Sequence, residues 1–463
     1  MKKFKYWILI LLLIPCFVLS ACSIIPSKVY VTSISKGETI GNTTTYTVNY
    51  SDGSKSYFNV KDGQDGQDLT LEVIQQYCES QNITIEEYFE SLEVDIPNIK
   101  TATNKALQST VNIYAISPYA YNASYKAPSA GAGVIYKMEE TYSYIITNYH
   151  VVESSTTSTG IAEKIQIMQY GVDCSLLGVE PYISPSINSK YYSDYVFSEK
   201  SITAEFIGGA ATYDIAVLKV ETEKLLLTNP YASAVTVAKD YSVAESIVAI
   251  GNPNGAGTSV TEGIVSVESE DLVFSQTESY RVMRIDAAVN GGNSGGGLFN
   301  LSGEFIGVVN AKMQDVDIDN IAYALPYDNV IKVADNLIHY YKQTGTEASV
   351  KKLYLNIEYS TSNSHAVYDS VKDTVKIYDT LVIKNVISGG VGHSMGFVAE
   401  DIVTKVLINE TPYEIRRSYE FADLLLTIRE GDSVYVYGTR NGETNVKLAK
   451  LESVSASQLT TID

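Results

Sequence analysis

A chain of 463 residues is too long for one small domain and, at about 100 to 200 residues per domain, accommodates roughly three units. Hydrophobic residues at 45% against charged residues at 19% give the balance of a folded globular protein and exclude a disordered one. The formal net charge of -20, with no basic stripe to offset it, excludes nucleic acid as a partner because a phosphate backbone would be repelled.

Lys2, Lys3 and Lys5 precede an apolar run over residues 7–19 that ends in Ser20 and Ala21. This is the pattern of a secretory signal, and the run is too short for a comfortable transmembrane helix. Leu19-Ser20-Ala21-Cys22 resembles the lipobox of bacterial lipoproteins, in which the cysteine is acylated and becomes the first residue of the mature chain. The resemblance implies a signal peptide over residues 1–21, lipid on Cys22, and export to the outer face of the cell membrane. The plainer alternative is an ordinary signal peptide with a chance cysteine. Cys16 lies in the leader, so Cys78 and Cys174 are the cysteines left in the exported part. They form no disulfide framework and read as free thiols or as one bridge between different units.

Residues 28–60 alternate apolar and polar side chains around turns such as Ser51-Asp52-Gly53, which predicts short antiparallel strands. Residues 61–68, KDGQDGQD, read as a spacer. Two short helices are predicted over 71–79 and 85–92, the second opened by Thr84 with Glu87 as a capping box. Residues 22–102 together read as a stalk.

From residue 103 to 326 the chain consists of short β-branched runs separated by Gly, Asn and Ser turns, which predicts an all-β barrel or sandwich. Residues 327–341 then place Val330, Val333, Ala334, Leu337, Ile338 and Tyr341 on one helical face, with Lys332, Asp335, Asn336, His339 and Lys342 opposite. An amphipathic helix is expected to close this unit, which spans residues 103–345. Residues 350–455, with a helix near 419–427, are long enough for a separate small domain.

Amide hydrolysis by a hydroxyl needs a base, a carboxylate that fixes the base's tautomer, and main-chain donors for the oxyanion. The loop Asn290-Gly291-Gly292-Asn293-Ser294-Gly295-Gly296 surrounds one serine with glycines, so that amides can converge on a point; taken alone it is equally a flexible turn. His150 ends the run YIITNYHVV and is the one base candidate in the β unit, because the other histidines fall on the closing helix (His339) or in the C-terminal region (His365, His393). A lone histidine is usually structural. Asp214, in TYDIAVLKV, stands just before an apolar strand; alone it reads as a turn residue. Together they fall in the chain order His, Asp, Ser.

At this point a family resemblance becomes specific. TNYHVV, YDIAVLKV, AIGNPNGAGTSVTEGIVS, RIDAAVNGGNSGGGLFN, GEFIGVVNAK and IAYALP resemble, in order and over nearly all of residues 106–326, the signature blocks of HtrA/Deg-type serine proteases. The resemblance implies a mostly β, two-lobed chymotrypsin-like barrel fold and ATP-independent endoproteolysis of unfolded or specific exported proteins. On it, His150 is the base, Asp214 the orienting carboxylate and Ser294 the nucleophile, with Gly292, Asn293 and Ser294 forming the oxyanion loop. It further places Ala288 on the floor of the primary specificity pocket, Val289 beside it and Ile321 on a wall. That lining favours small aliphatic side chains before the scissile bond. Glycine at 291 and 297 departs from the family's usual proline and implies a looser active-site loop. An insertion rich in Tyr and Ser, centred on residues 181–200, is a second departure.

KNVISGGVGHSMGFVAE and REGDSVYVYGTRNGET resemble the PDZ domains that follow the protease in this family. Leu355, Asn356 and Ile357 stand where such domains receive a peptide C-terminus, with Asn356 replacing the commoner glycine. The family also suggests a homotrimer. No paired histidine motif or cysteine cluster occurs, so no metal or cofactor is expected. The competing reading is a non-proteolytic chaperone or surface-binding lipoprotein that retains the barrel.

Overall fold

The computed structural model describes residues 31–40, 43–50, 53, 55–61, 98–183, 190–273, 279–311, 321–370 and 374–462. Cys22, Cys78, most of the 61–68 spacer and the helices predicted at 71–79 and 85–92 lie outside the described residues. The chain divides into two units, Met1–Asp95 and Ile96–Asp463.

In the first unit, β1 (Val31–Ile40), β2 (Thr43–Tyr50) and β3 (Lys55–Lys61) form an antiparallel sheet in that order. Its pleat has period two: Tyr46 and Val48 on β2 are buried while Thr45, Thr47 and Asn49 between them are half-exposed.

The second unit opens on α1 (Ile99–Leu107), a helix absent from the sequence reading. Asn98 caps it reciprocally with Thr101, and Ala102 and Ala106 bury its inner face. Next come β4 (Thr110–Tyr119), β5 (Asn122–Met138), β6 (Tyr142–Thr147), the single-turn α2 (Tyr149–Val152) and β7 (Lys164–Gln169). Within the predicted insertion, β8 (Leu177–Ile183) pairs with β9 (Lys190–Val196), which joins β5 where Lys126 pairs with Tyr192. After β10 (Ile202–Ala210) and β11 (Ile215–Glu221), the order β4-β7-β10-β11-β6-β5 is closed by pairing of β5 with β4. Ile113, Ile135, Ile145, Ile167, Ala216 and Leu218 fill this first barrel.

The short α3 (Thr222–Thr228) leads to a second closed barrel. Its strands β12 (Ser246–Gly251), β13 (Ser259–Val273), β14 (Ser279–Ile285), β15 (Gly297–Asn300), β16 (Phe305–Asn310) and β17 (Ala322–Pro326) run in the order β12-β13-β14-β17-β16-β15. Alternation along β12 serves two cores: Ile247 and Ala249 point into this barrel, while Val248 and Ile250 face Val134, Ile146 and Val217 of the first. The protein therefore has the two-lobed chymotrypsin-like fold expected from sequence.

The closing helix, α4 (Tyr327–Thr344), buries Val330, Val333, Ala334, Leu337 and Ile338 against both barrels. At roughly 2 kcal/mol for each fully buried large aliphatic side chain, this face fixes the helix. One residue departs from the predicted pattern. Asn336, assigned to the polar face, is fully buried, with Nδ2 donating to Lys351 O and Leu426 O at 2.7 Å and Oδ1 accepting from Lys351 N at 2.9 Å. A buried amide is tolerated because each polar atom is paired.

In the C-terminal region, β18 (Val350–Leu353) pairs with the final strand, Leu459–Ile462. A sheet of β19 (Ile357–Asp369), β20 (Thr374–Val386), β21 (Ile402–Ile408) and the strands Val434–Arg440 and Glu443–Leu451 follows, with β19 at its edge. The helices α5 (Val391–Met395) and α6 (Ser418–Leu424) accompany it, and Leu355, Ile383, Phe397, Phe421 and Val436 form its core.

Candidate active site

The register between β6 and β11 pairs Thr147 with Ala216, so the residues that follow β6 and precede β11 emerge at one end of the ladder. There α2 presents His150 and buries Val151 and Val152 beneath it. Asp214 follows a 3-10 turn, Ala211–Tyr213, and takes the left-handed backbone at φ +50, a conformation that Asp tolerates better than most residues. Asp214 is 3% exposed and its carboxylate serves His150 twice: Oδ1 accepts the backbone N–H at 3.0 Å, and Oδ2 lies 2.8 Å from Nδ1. Asn310, at the end of β16, donates to the same Oδ2 at 2.7 Å.

Ser294 comes from the other barrel, on the loop that leads into β15. Gly131 joins the two sides: a Cβ there would lie 2.6 Å from the Val151 side chain and 3.1 Å from Ser294 O. Asn148 bridges all three segments, donating from Nδ2 to Asp214 O at 2.9 Å and accepting at Oδ1 from Gly295 N–H at 2.7 Å. Neither Asn148 nor Asn310 was singled out from sequence. The one local signal for Asn148 was its place in TNYHVV.

The Ser294 loop requires glycine where the main chain turns under the site. At Gly292 (φ +96) a Cβ would meet Asn252 O at 2.2 Å, and at Gly295 (φ +82) it would meet Ala132 O at 2.1 Å. Among the described residues, the amides of Gly292 and Ser294 meet no internal acceptor, so both are available as donors. The N–H of Asn293, the middle residue of the predicted oxyanion loop, donates to Asn290 O at 3.0 Å and serves the turn. Gly291 O accepts from Asn254 N–H at 2.8 Å and Gly292 O from Asn252 N–H at 3.2 Å, which ties this part of the loop to residues 252–254.

Ser294 is 5% exposed, and its Oγ accepts from Ala311 N–H at 3.2 Å. Among the described residues no hydrogen bond joins it to His150. The predicted pocket residues are spread: Ala288 is exposed, Val289 packs into the core of the second barrel, and Ile321 is half-buried ahead of β17. In the C-terminal domain, Asn356 takes the left-handed backbone (φ +55), which explains how it can stand in place of glycine. Its carbonyl accepts from Ile387 N–H at 3.0 Å, Leu355 is in the core, and Ile357 begins the edge strand β19. Cys174 is a free, half-buried thiol that accepts from Asn112 Nδ2. Among the described residues no cluster of side chains is arranged to hold a metal ion.

Residues 131–308 match the trypsin-like peptidase domain family. The chain is 27% identical over 368 residues to "Serine protease Do-like HtrA" of Bacillus subtilis (strain 168), covering 77% of this chain and 70% of that protein. It is 24% identical over 339 residues to the protein of the same name from Lactobacillus helveticus, covering 72% and 70%. A solved structure, "HtrA-type protease AlgW with tripeptide", covers 75% of this chain and 94% of that one at 22% identity and a TM-score of 0.46, too distant a likeness to add weight. The chain thus carries a trypsin-like peptidase domain, is a serine endopeptidase, and is similar over most of its length to HtrA-type serine proteases.

Proposed function

We propose that this endopeptidase cleaves misfolded or specific exported proteins from the outer face of the cell membrane, held there by lipid on Cys22, with His150, Asp214 and Ser294 as its triad. The observation that carries the reading is the doubly bonded Asp214–His150 pair, linked through Asn148 to a serine loop whose Gly292 and Ser294 amides meet no internal acceptor among the described residues. With Nδ1 donating to Asp214, His150 keeps the Nε2 lone pair for the Ser294 proton. The alkoxide then attacks the scissile carbonyl, the two amides receive the oxyanion, and His150 returns the proton to the leaving amine. Ser294 Oγ accepts from Ala311 N–H and still has to turn its own proton toward His150, which supports low turnover at rest.

Residues 22–102 act as the stalk, 103–345 as the protease and 350–455 as a PDZ-like domain. The edge strand β19 supports peptide capture by strand addition, with Leu355, Asn356 and Ile357 forming the carboxylate loop. Exposed Ala288, with Val289 and Ile321, supports a pocket for small aliphatic side chains, and the family likeness supports a homotrimer. Digestion of a denatured protein mixture, read by mass spectrometry, tests the assignment. New C-termini are expected after Ala, Val or similar residues with the wild type and none with Ser294→Ala. Cleavage mainly after Lys or Arg contradicts the pocket, and identical peptides from both proteins contradict the mechanism.

A further inference from the structure

We infer that Tyr280 and Arg281, neighbours on β14, are positioning residues for Asp214 that couple the C-terminal domain to the turn presenting it. This rests on reading Asp214 as the carboxylate that orients His150.

Tyr280 reaches the turn directly. Its hydroxyl donates to Ala211 O at 3.2 Å, the same carbonyl that accepts Asp214 N–H at 3.1 Å. That turn ends in a residue at positive φ, a conformation that persists only where its surroundings hold it. Tyr213, one residue before Asp214, packs against the core between the barrels together with Tyr280.

Arg281 reaches the C-terminal domain. Its guanidinium is buried, with Nη2 2.6 Å from Asp423 on α6 and 2.8 Å from Asp328 in the first turn of α4, and it stacks 4.1 Å from the Tyr419 ring. Asn329 Nδ2 adds a bond to Asp423 at 2.8 Å. Three elements thus meet at one side chain. The C-terminal domain also flanks the turn itself: burial, with the Asp423 carboxylate and Tyr359 of β19 nearby, pushes the Tyr213 phenol up to about 12.

Stability alone does not account for the cluster. Among the described residues, Arg281 Nε and Nη1 and Asp328 Oδ1 are buried without a hydrogen-bond partner. Buried ion clusters with unsatisfied atoms stabilise poorly compared with apolar packing, and fixing the register of packed elements is the use they serve best. The elements fixed here are the strand, the closing helix and the C-terminal helix around the Asp214 turn.

The test uses the full chain and dye-quenched casein, with kcat and KM measured separately and melting temperature followed for each variant. Tyr280→Phe removes one oxygen and keeps the fold. Both it and Arg281→Met are expected to lower kcat about tenfold to a hundredfold with KM unchanged, the scale of a small misplacement of catalytic groups. Lys376→Met breaks a different contact of the C-terminal domain, to Asp240 on the second barrel at 2.8 Å, and is expected to keep wild-type kcat. If Tyr280→Phe keeps wild-type kcat while Asp214→Asn is inactive, the coupling is wrong and the role of Asp214 stands. If Asp214→Asn is itself active, both fall. An equal loss of kcat in Lys376→Met would reduce the effect to general destabilisation and overturn the inference.

Discussion

Ser294→Ala is expected to lower kcat on an unfolded protein substrate by about a millionfold, the loss seen when the nucleophile of a serine protease is removed. Ser294 Oγ comes from a loop fixed on both sides, at Gly292 by Asn252 and at Gly295 by Asn148 and Val309. The fold should survive. Ser294 Oγ makes one hydrogen bond, from Ala311 N–H, worth about 1 kcal/mol, while Ser294 O keeps its bond from Ala132 N–H. An unchanged melting temperature beside lost hydrolysis checks this, and a variant that still cleaves casein at a tenth of the wild-type rate would remove Ser294 from the mechanism.

Asp214→Asn should cost about ten-thousandfold in kcat by the logic of the Ser-His-Asp template. The hydrogen bonds at this side chain give the reason. Both oxygens of Asp214 face donors: His150 N–H at Oδ1, and His150 Nδ1 with Asn310 Nδ2 at Oδ2. An asparagine must turn its NH2 toward one of these sets. Facing Oδ1's partner, it opposes a backbone N–H. Facing Oδ2's partners, it opposes the Asn310 amide and forces the imidazole proton onto Nε2, where the base needs its lone pair. The asparagine loses in either orientation, and kcat falls far more than KM. A rate within tenfold of wild type would mean that another group orients His150.

The extent to which this site could be read from sequence follows from how local each signal is. His150 was legible because the chain has only four histidines and one of them lies in the strand-rich stretch 103–326. The Ser294 loop was legible because convergent amides demand glycines, and the observed contacts at Gly292 and Gly295 bear that demand out. The apolar face of α4 emerged from periodicity alone. Asn336 did not, because polarity counting assigns an amide to solvent, whereas Lys351 and Leu426 supply its partners from distant parts of the chain. Asn148 and Asn310 were missed for the same reason: their partners lie 147 and 96 positions away. The helix α1 was missed because two alanines, not large apolar residues, form its inner face, although its Asn98–Thr101 cap was written locally. In the insertion centred on residues 181–200, composition gave no strand signal, yet residues 177–183 pair with 190–196.

Reaction of the full chain with a peptidyl phosphonate that has a small aliphatic residue at the reactive position, followed by mass spectrometry of the loop peptide, tests most directly whether one serine hydroxyl, one imidazole and two amides form a working centre. Covalent phosphonylation of Ser294 that vanishes in His150→Ala is the expected result. A loop that stays unlabelled while a control serine protease reacts, or labelling unaffected by the loss of His150, would contradict it.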